Sequence, residues 1–262
     1  MVRPVLLLSF ASSVLVLFSR FPVAVGLSSS SKVRVCQNRD CCRQWKHPQN
    51  LPETLQDLLS PDADSVEVEI TGCLSQCGKG PNLLITHSDS GTSSSSSQLV
   101  QGVTDPVLLS NELKDRLGIR VSSKLVAAVT VMGRATQGSP TATTFEEKER
   151  YLTSVIQVLR SDPLLRTSTA NMRCHVMRAQ VRCEYGMPEE ALRDLSEATV
   201  ITNNNTNRVL LGLAWRTRAD CYRALGQMEK AEEALREWAE NDPSRRTKAM
   251  KEIQEIQQQR QS

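Results

Sequence analysis

Apolar positions follow two different periods along this chain. Near the front they alternate. In "KVRVC", Val33 and Val35 are interleaved with charged residues, and "VEVEI", residues 66–70, repeats the alternation. A period of two predicts half-buried strands. Between them, "PETLQDLL" places Leu55, Leu58 and Leu59 on one face of a short helix that begins at Pro52, a residue suited to a first helical turn. "LLIT", residues 83–86, is apolar enough for a further strand, and the "HSDSGTSSSSS" after it reads as a flexible hairpin extension. From about Lys124 onward the chain is rich in Ala, Leu, Arg, Glu and Gln, which favours helix.

The second half repeats itself. "RAQVRCEYGMPEEALRDLSEATVITN" and "RADCYRALGQMEKAEEALREWAENDP" share one offset, which pairs Ala179 with Ala219, Gly186 with Gly226, Ala191 with Ala231 and Leu195 with Leu235. Tyr151, Val155 and Pro163 fall one unit earlier. Recurring helix pairs predict an all-α helical solenoid. Small residues permit close helix crossing, and each glycine ends the first helix of a pair. "TNNNTN" is a polar loop between units, and "RATQGSPTATT" lengthens the inner turn of the first. "RRTKAMKEIQEIQQQRQ" reads as a solvated cap helix.

The N-terminus has a different character. Arg3 precedes an apolar run from Val5 to Phe18, small residues follow at Ala24, Val25 and Gly26, and no acidic residue appears before Asp40. This is the layout of a cleaved signal peptide. The run is short for a membrane span, which needs about 20 residues; an uncleaved anchor is the alternative. The Ser-rich, acid-free continuation resembles the transit portion of bipartite presequences in algae with secondary plastids. The organisation expected is a targeting segment at 1–31, an α/β domain at 32–120 and helical repeats at 121–262, with entry to the secretory route and a plastid as destination. No stable membrane span is expected in the mature protein.

Charge adds little. Lys and Arg number 32 against 29 Asp and Glu, and the excess is spread out, so nothing marks a nucleic-acid footprint. No nucleophile–base set, phosphate loop or carboxylate pair marks a hydrolase or transferase, and His47, His87 and His175 are isolated. Cys174, Cys183 and Cys221 lie in the helical half and read as small core residues.

The other five of the eight cysteines crowd together: Cys36, Cys41, Cys42, Cys73 and Cys77. Cys36 ends the first strand, and Cys41 follows a four-residue spacer. Cys73 and Cys77 stand three residues apart in "TGCLSQCGKGPN", after the second strand. A right-handed strand–helix–strand crossover brings parallel strand ends to one side, so two pairs of thiols can converge. Thiolates in such a set bind zinc or an iron–sulfur cluster. Zinc usually takes shorter C-x2-C knuckles; the longer loops here wrap a two-iron rhomb more easily. Gly72, Gly78 and Gly80 let backbone N–H groups come close to cluster sulfurs. The chain has no C-x-x-C, which argues against a thioredoxin-type dithiol.

C-x4-C, a helix and strand, and then "TGCLSQCGKGPNLLI" resemble the thioredoxin-like [2Fe-2S] ferredoxin family over residues 32–118. "QLVQGVTDPVLLSNELKDRLG" matches that family's order of a strand, a Gly-Val turn and a last helix. The resemblance implies a thioredoxin-like α/β ferredoxin domain with one [2Fe-2S] cluster held by Cys36, Cys41, Cys73 and Cys77. Cys42 stands where the family usually has another residue. Four thiolates without histidine imply a low potential, nearer the ~−400 mV of plant-type ferredoxins than a Rieske centre.

Trp215, Ala219, Tyr222, Ala231, Leu235 and Pro243 resemble the tetratricopeptide repeat, although the period exceeds that family's usual ~34 residues. In that family the first helix of each pair lines a concave face. Here the face carries Arg173, Val176 and Gln180 from one unit, and Leu213, Arg216, Asp220 and Arg223 from the next. Its arginines suit an acidic peptide or an acidic partner face, and it lacks a Lys/Asn carboxylate clamp. Two functions follow. One is a [2Fe-2S] electron-transfer or redox module, an accessory subunit more than a self-contained enzyme, coupled to a protein-interaction domain. The other is a scaffold or assembly factor whose cluster, or zinc, is structural or sensing.

Overall fold

The structure is a computed structural model that describes residues 30–59, 66–75, 77–88, 95–136, 144–201 and 207–261. The signal and transit readings, with their cleavage point, lie outside the described residues. So do most of the Ser-rich extension and "TNNNTN".

The architecture is mixed α/β, one four-stranded sheet with ten α-helices among the described residues. β1 (Ser30–Cys36) is followed by α1 (Arg39–Cys42), α2 (Leu51–Leu59) and β2 (Val66–Thr71). After a 3-10 turn at Cys77–Lys79 come β3 (Asn82–Ser88), β4 (Ser95–Gln101) and α3 (Pro106–Leu117). The strand order is β2-β1-β3-β4. β1 runs parallel to β2 and antiparallel to β3, and β3 is antiparallel to β4.

Alternation explains the sheet. Val33 and Val35 point into the core, while Lys32 and Arg34 face outward and meet Glu67 and Glu69 across the parallel register, at 3.0 and 2.9 Å. Opposite charges at directly paired positions support that register. β1 begins at Ser30, inside the stretch expected as leader, and Ser95–Ser97 belong to β4 rather than to a loose extension. α3 starts where Asp105 accepts from the N–H groups of Val107 and Leu108, and ends at Gly118 with φ 69°. Those are favourable caps at both ends.

The second half is helical throughout: α4 (Ser123–Arg134), α5 (Phe145–Arg160), α6 (Thr169–Glu184), α7 (Pro188–Val200), α8 (Arg208–Ala224), α9 (Met228–Asn241) and α10 (Arg246–Gln261). Each helix packs on the next, and α6 also lies beside α4 and α8. The residues paired by the sequence offset are equivalent in space. Ala179, Ala219, Ala191, Ala231, Leu195 and Leu235 are all fully buried. Gly186 and Gly226 have φ of 77° and 70°. The following N–H groups, of Met187 and Gln227, both donate 2.9 Å bonds, to the carbonyls of Arg182 and Tyr222. A left-handed glycine closed by this bond ends a helix cheaply, so each pair turns at the same point. Among the described residues no helix is long and apolar enough to cross a membrane.

The core does not break at residue 121. Leu125, Val129 and Met132 of α4 share one apolar cluster with Leu55 and Leu58 of α2, Leu109 of α3 and Cys174 of α6.

Candidate functional site

The thiols gather around one end of the sheet. Cys36, the last residue of β1, pairs with Thr71, the last of β2, and the Gln37 N–H extends that ladder to the Thr71 carbonyl at 3.1 Å. Cys73 follows two residues later. Asn38 caps α1 by accepting from the Asp40 N–H at 3.0 Å, and this single helical turn carries both Cys41 and Cys42. α1 packs on the 3-10 turn that begins at Cys77, whose side chain lies outside the described residues.

The neighbouring cysteines of α1 face different ways. Cys41 is fully buried against the second thiol loop. A Cβ on Gly80 would overlap its Sγ and stand 2.8 Å from its Cα, so only glycine lets that loop lie so close. Cys42 is exposed, and its S–H points to the Cys36 carbonyl at 3.6 Å. Burial, helped by the Cys36 charge, pushes the Cys42 thiol up. In the second loop Ser75 takes φ 61°, and its N–H donates to the Cys73 sulfur at 3.2 Å. Donors of this kind favour a thiolate over a thiol.

Among the described residues no three Cys, His, Asp or Glu side chains come together closely enough to hold one ion. The arrangement still suits a thiolate-held group in two respects. The thiol-bearing loops meet through Cys41 and Gly80, and Cys73 has an N–H on its sulfur. The histidines are elsewhere engaged. His87 meets Ser31 at 3.2 Å, His47 packs on Gly133 of α4 and is lowered by burial, and His175 lies 3.5 Å from Asp194.

A cleft of about 540 Å³ opens on α6 and α8. Of the residues assigned to the concave face, Arg173, Val176, Gln180, Leu213, Arg216 and Asp220 line it; Arg223 is not among its lining residues. The charge on it differs from expectation. Arg173 is only 5 % exposed, and its Nε donates to Asp57 of α2 at 2.8 Å, with Glu53 at 3.5 Å. Arg216 is paired with Asp220, and with Glu252 of α10 at 3.1 Å. Arg223 lies 3.5 Å from the same Glu252. The three arginines are therefore matched within the chain and do not present open positive charge. Asp220 is four residues along the same helix from Arg216, but Asp57, Glu53 and Glu252 sit on helices far away in sequence, where no local pattern announces them.

Asp57 is fully buried. Burial pushes its carboxyl up, against the pull of Arg173 and of Gln49, whose Nε2 donates to the same oxygen at 2.6 Å. Burial acts to lower Arg173 too, but the Asp57 and Glu53 charges outweigh it and hold the guanidinium firmly protonated. Gln49 is set in place by Trp45, whose Nε1 donates to the Gln49 carbonyl at 2.6 Å. Gln49 and Glu53, from the first half, also line the cleft. Sequence reasoning missed both, because the repeat pattern that marks the other wall does not extend to them. Set against known proteins, the chain matches no family model, no curated protein and no solved structure.

Proposed function

We propose that the first half binds one [2Fe-2S] cluster through Cys36, Cys41, Cys73 and Cys77, and that the chain serves as an electron-transfer or redox module with a partner-holding helical half. One observation carries this reading: two thiol-bearing loops follow the same ends of adjacent parallel strands and touch through Cys41 and Gly80. The strand order β2-β1-β3-β4 with one parallel pair, and α2 between its strands, supports a thioredoxin-like domain. The helix pairs closed at Gly186 and Gly226 support tetratricopeptide-type repeats.

The bound cluster would supply one-electron exchange. The chain's own residues do the rest. The four thiols bind deprotonated. The Ser75 N–H steadies the Cys73 sulfur, Gly80 gives the second loop its close approach, and the exposure of Cys73 leaves that edge open to a redox partner. The segment ahead of β1 is proposed to direct the chain into the secretory route, and onward to a plastid.

Iron and acid-labile sulfide analysis of the purified chain, with its visible spectrum, tests the proposal. Brown protein with two irons per chain supports it, and Cys73→Ala should remove the colour. Colourless protein holding zinc would overturn it. The scaffold reading is favoured by a different observation, the cleft to which both halves contribute. A cluster that cannot be reversibly reduced by one electron would favour that reading.

A further inference from the structure

Two cysteines that read from sequence as core residues meet at the wall of the cleft. Cys183 lies in the last turn of α6 and Cys221 in the last turn of α8, and these helices pack side by side. Cys221 is fully buried in the apolar cluster shared by α6, α7 and α8, and Cys183 packs on that cluster from its half-buried edge. The two thiols influence each other's protonation, which makes them near neighbours on this seam. Cys183 also lines the cleft. An oxidant entering the cleft therefore reaches Cys183 directly, and Cys221 only behind it. Cys174 is no rival, since it lies earlier on α6, roughly 13 Å along the axis at about 1.5 Å per residue, buried against Met132 with the sulfurs 3.1 Å apart.

We propose that Cys183 and Cys221 are a reversible dithiol–disulfide pair, oxidised by a hydroperoxide that enters the cleft, and that the disulfide ties α6 to α8 at the cleft wall. In the first step the Cys183 thiolate attacks the outer oxygen of the hydroperoxide. The O–O bond breaks, an alcohol (or water, from hydrogen peroxide) leaves with the thiol proton, and Cys183 becomes a sulfenic acid. In the second step the Cys221 sulfur attacks the Cys183 sulfur. The S–S bond forms, the S–O bond breaks, and hydroxide departs as water with the Cys221 proton. Two thiols lose two electrons and the peroxide gains them. A dithiol reductant restores the pair by exchange.

The order of attack follows from the surroundings. The neighbouring Cys221 lowers the Cys183 thiol, with help from Arg216 and opposition from burial, Asp220 and Glu184. Cys183, together with burial, pushes Cys221 up. The more accessible sulfur is thus also the one nearer to a thiolate, as a peroxide-reactive cysteine requires.

The test uses the full chain, reduced, exposed to hydrogen peroxide, then alkylated in denaturant and mapped by mass spectrometry. The expected result is a Cys183–Cys221 linked peptide that dithiothreitol removes. Cys221→Ser should abolish the link and leave a sulfenic acid at Cys183 that dimedone traps; Cys183→Ser should leave Cys221 a free thiol. The same mapping on the Cys73→Ala chain should give the same link, which separates this outcome from the fate of the cluster reading. Recovery of Cys183 and Cys221 as alkylated thiols after peroxide, or linkage of either to another cysteine, would overturn the proposal.

Discussion

Arg173 of α6 and Asp57 of α2 form an ion pair at 2.8 Å with both side chains withdrawn from water, 116 residues apart in the chain. The pair joins the helical half to the sheet-bearing half beside the cleft. Removing Asp57 leaves the buried Arg173 charge with only Glu53, 3.5 Å away at the edge, and breaking a buried pair costs about 3–5 kcal/mol.

Asp57→Asn should therefore lower the unfolding free energy by roughly that amount. The double variant Asp57→Leu/Arg173→Met should recover most of the loss, because it leaves no buried charge behind. Urea unfolding of the three chains measures both effects. A single variant as stable as the parent would show that the pair contributes nothing.

Asp194 gives the helical half a pH limit. Its carboxylate meets Arg178 at 2.6 Å and Arg182 at 2.9 Å, and Arg182 also reaches Glu149 of α5 at 2.7 Å. Burial pushes Asp194 up, but His175, Arg178 and Arg182 outweigh it and hold the carboxyl below its ordinary range. A carboxyl depressed on folding adds stability that is complete above its unfolded value, near pH ~3.9, and fades as pH falls through the lower folded value. The parent should lose stability below about pH 4 more steeply than Asp194→Asn, which starts weaker at neutral pH. Unfolding midpoints between neutral pH and strong acid check this; parallel curves would remove Asp194 from the account.

Gly80→Ala should disturb the thiol end specifically. The added methyl meets Cys41 at both its sulfur and its Cα. Overpacking of this kind costs about 1–3 kcal/mol, and here it pushes the second thiol loop away from α1. Iron content should fall with stability. Gly78→Ala, where a Cβ meets nothing within 4 Å, is the matched control and should retain its iron.

On the proposed cluster reading, Cys41→Ser should lose bound iron and Cys42→Ser should keep it. Cys41 faces the second loop, whereas Cys42 turns toward solvent and the Cys36 carbonyl. Iron retained by Cys41→Ser and lost by Cys42→Ser would reverse the assignment.

Much of this was legible because it is periodic. Alternation located β1 and β2, the leucine spacing located α2, and the repeat offset placed Ala179, Gly186 and Leu195 over their partners in the next unit. α1 was not legible. It is one turn long, held by a single Asn38 cap, and too short to show a period. Arg173 and Arg216 line the cleft, but their electrostatic setting is not legible in the sequence. Arg173 finds Asp57, and Arg216 and Arg223 find Glu252, through tertiary contacts that no local window contains. Charge reversal at Arg216 or Arg223 would therefore disturb the seating of α10 as well as any ligand. Cys183 and Cys221 escaped notice for a related reason. Each alone looks like an ordinary small core residue, and only the packing of α6 on α8 makes them a pair.

The apolar cluster that runs unbroken from the sheet through α4 to α6 governs how this molecule can be dissected. Cutting at residue 121 would leave an oily wound on both fragments, Leu55 and Leu109 bared on one and Leu125 and Val129 on the other. Neither piece would be a faithful stand-in for its half of the whole. A binding survey run with the repeats alone would sample an adhesive surface that the intact chain never shows. Partners should be sought with the entire chain as bait, silenced by point changes and not by truncation.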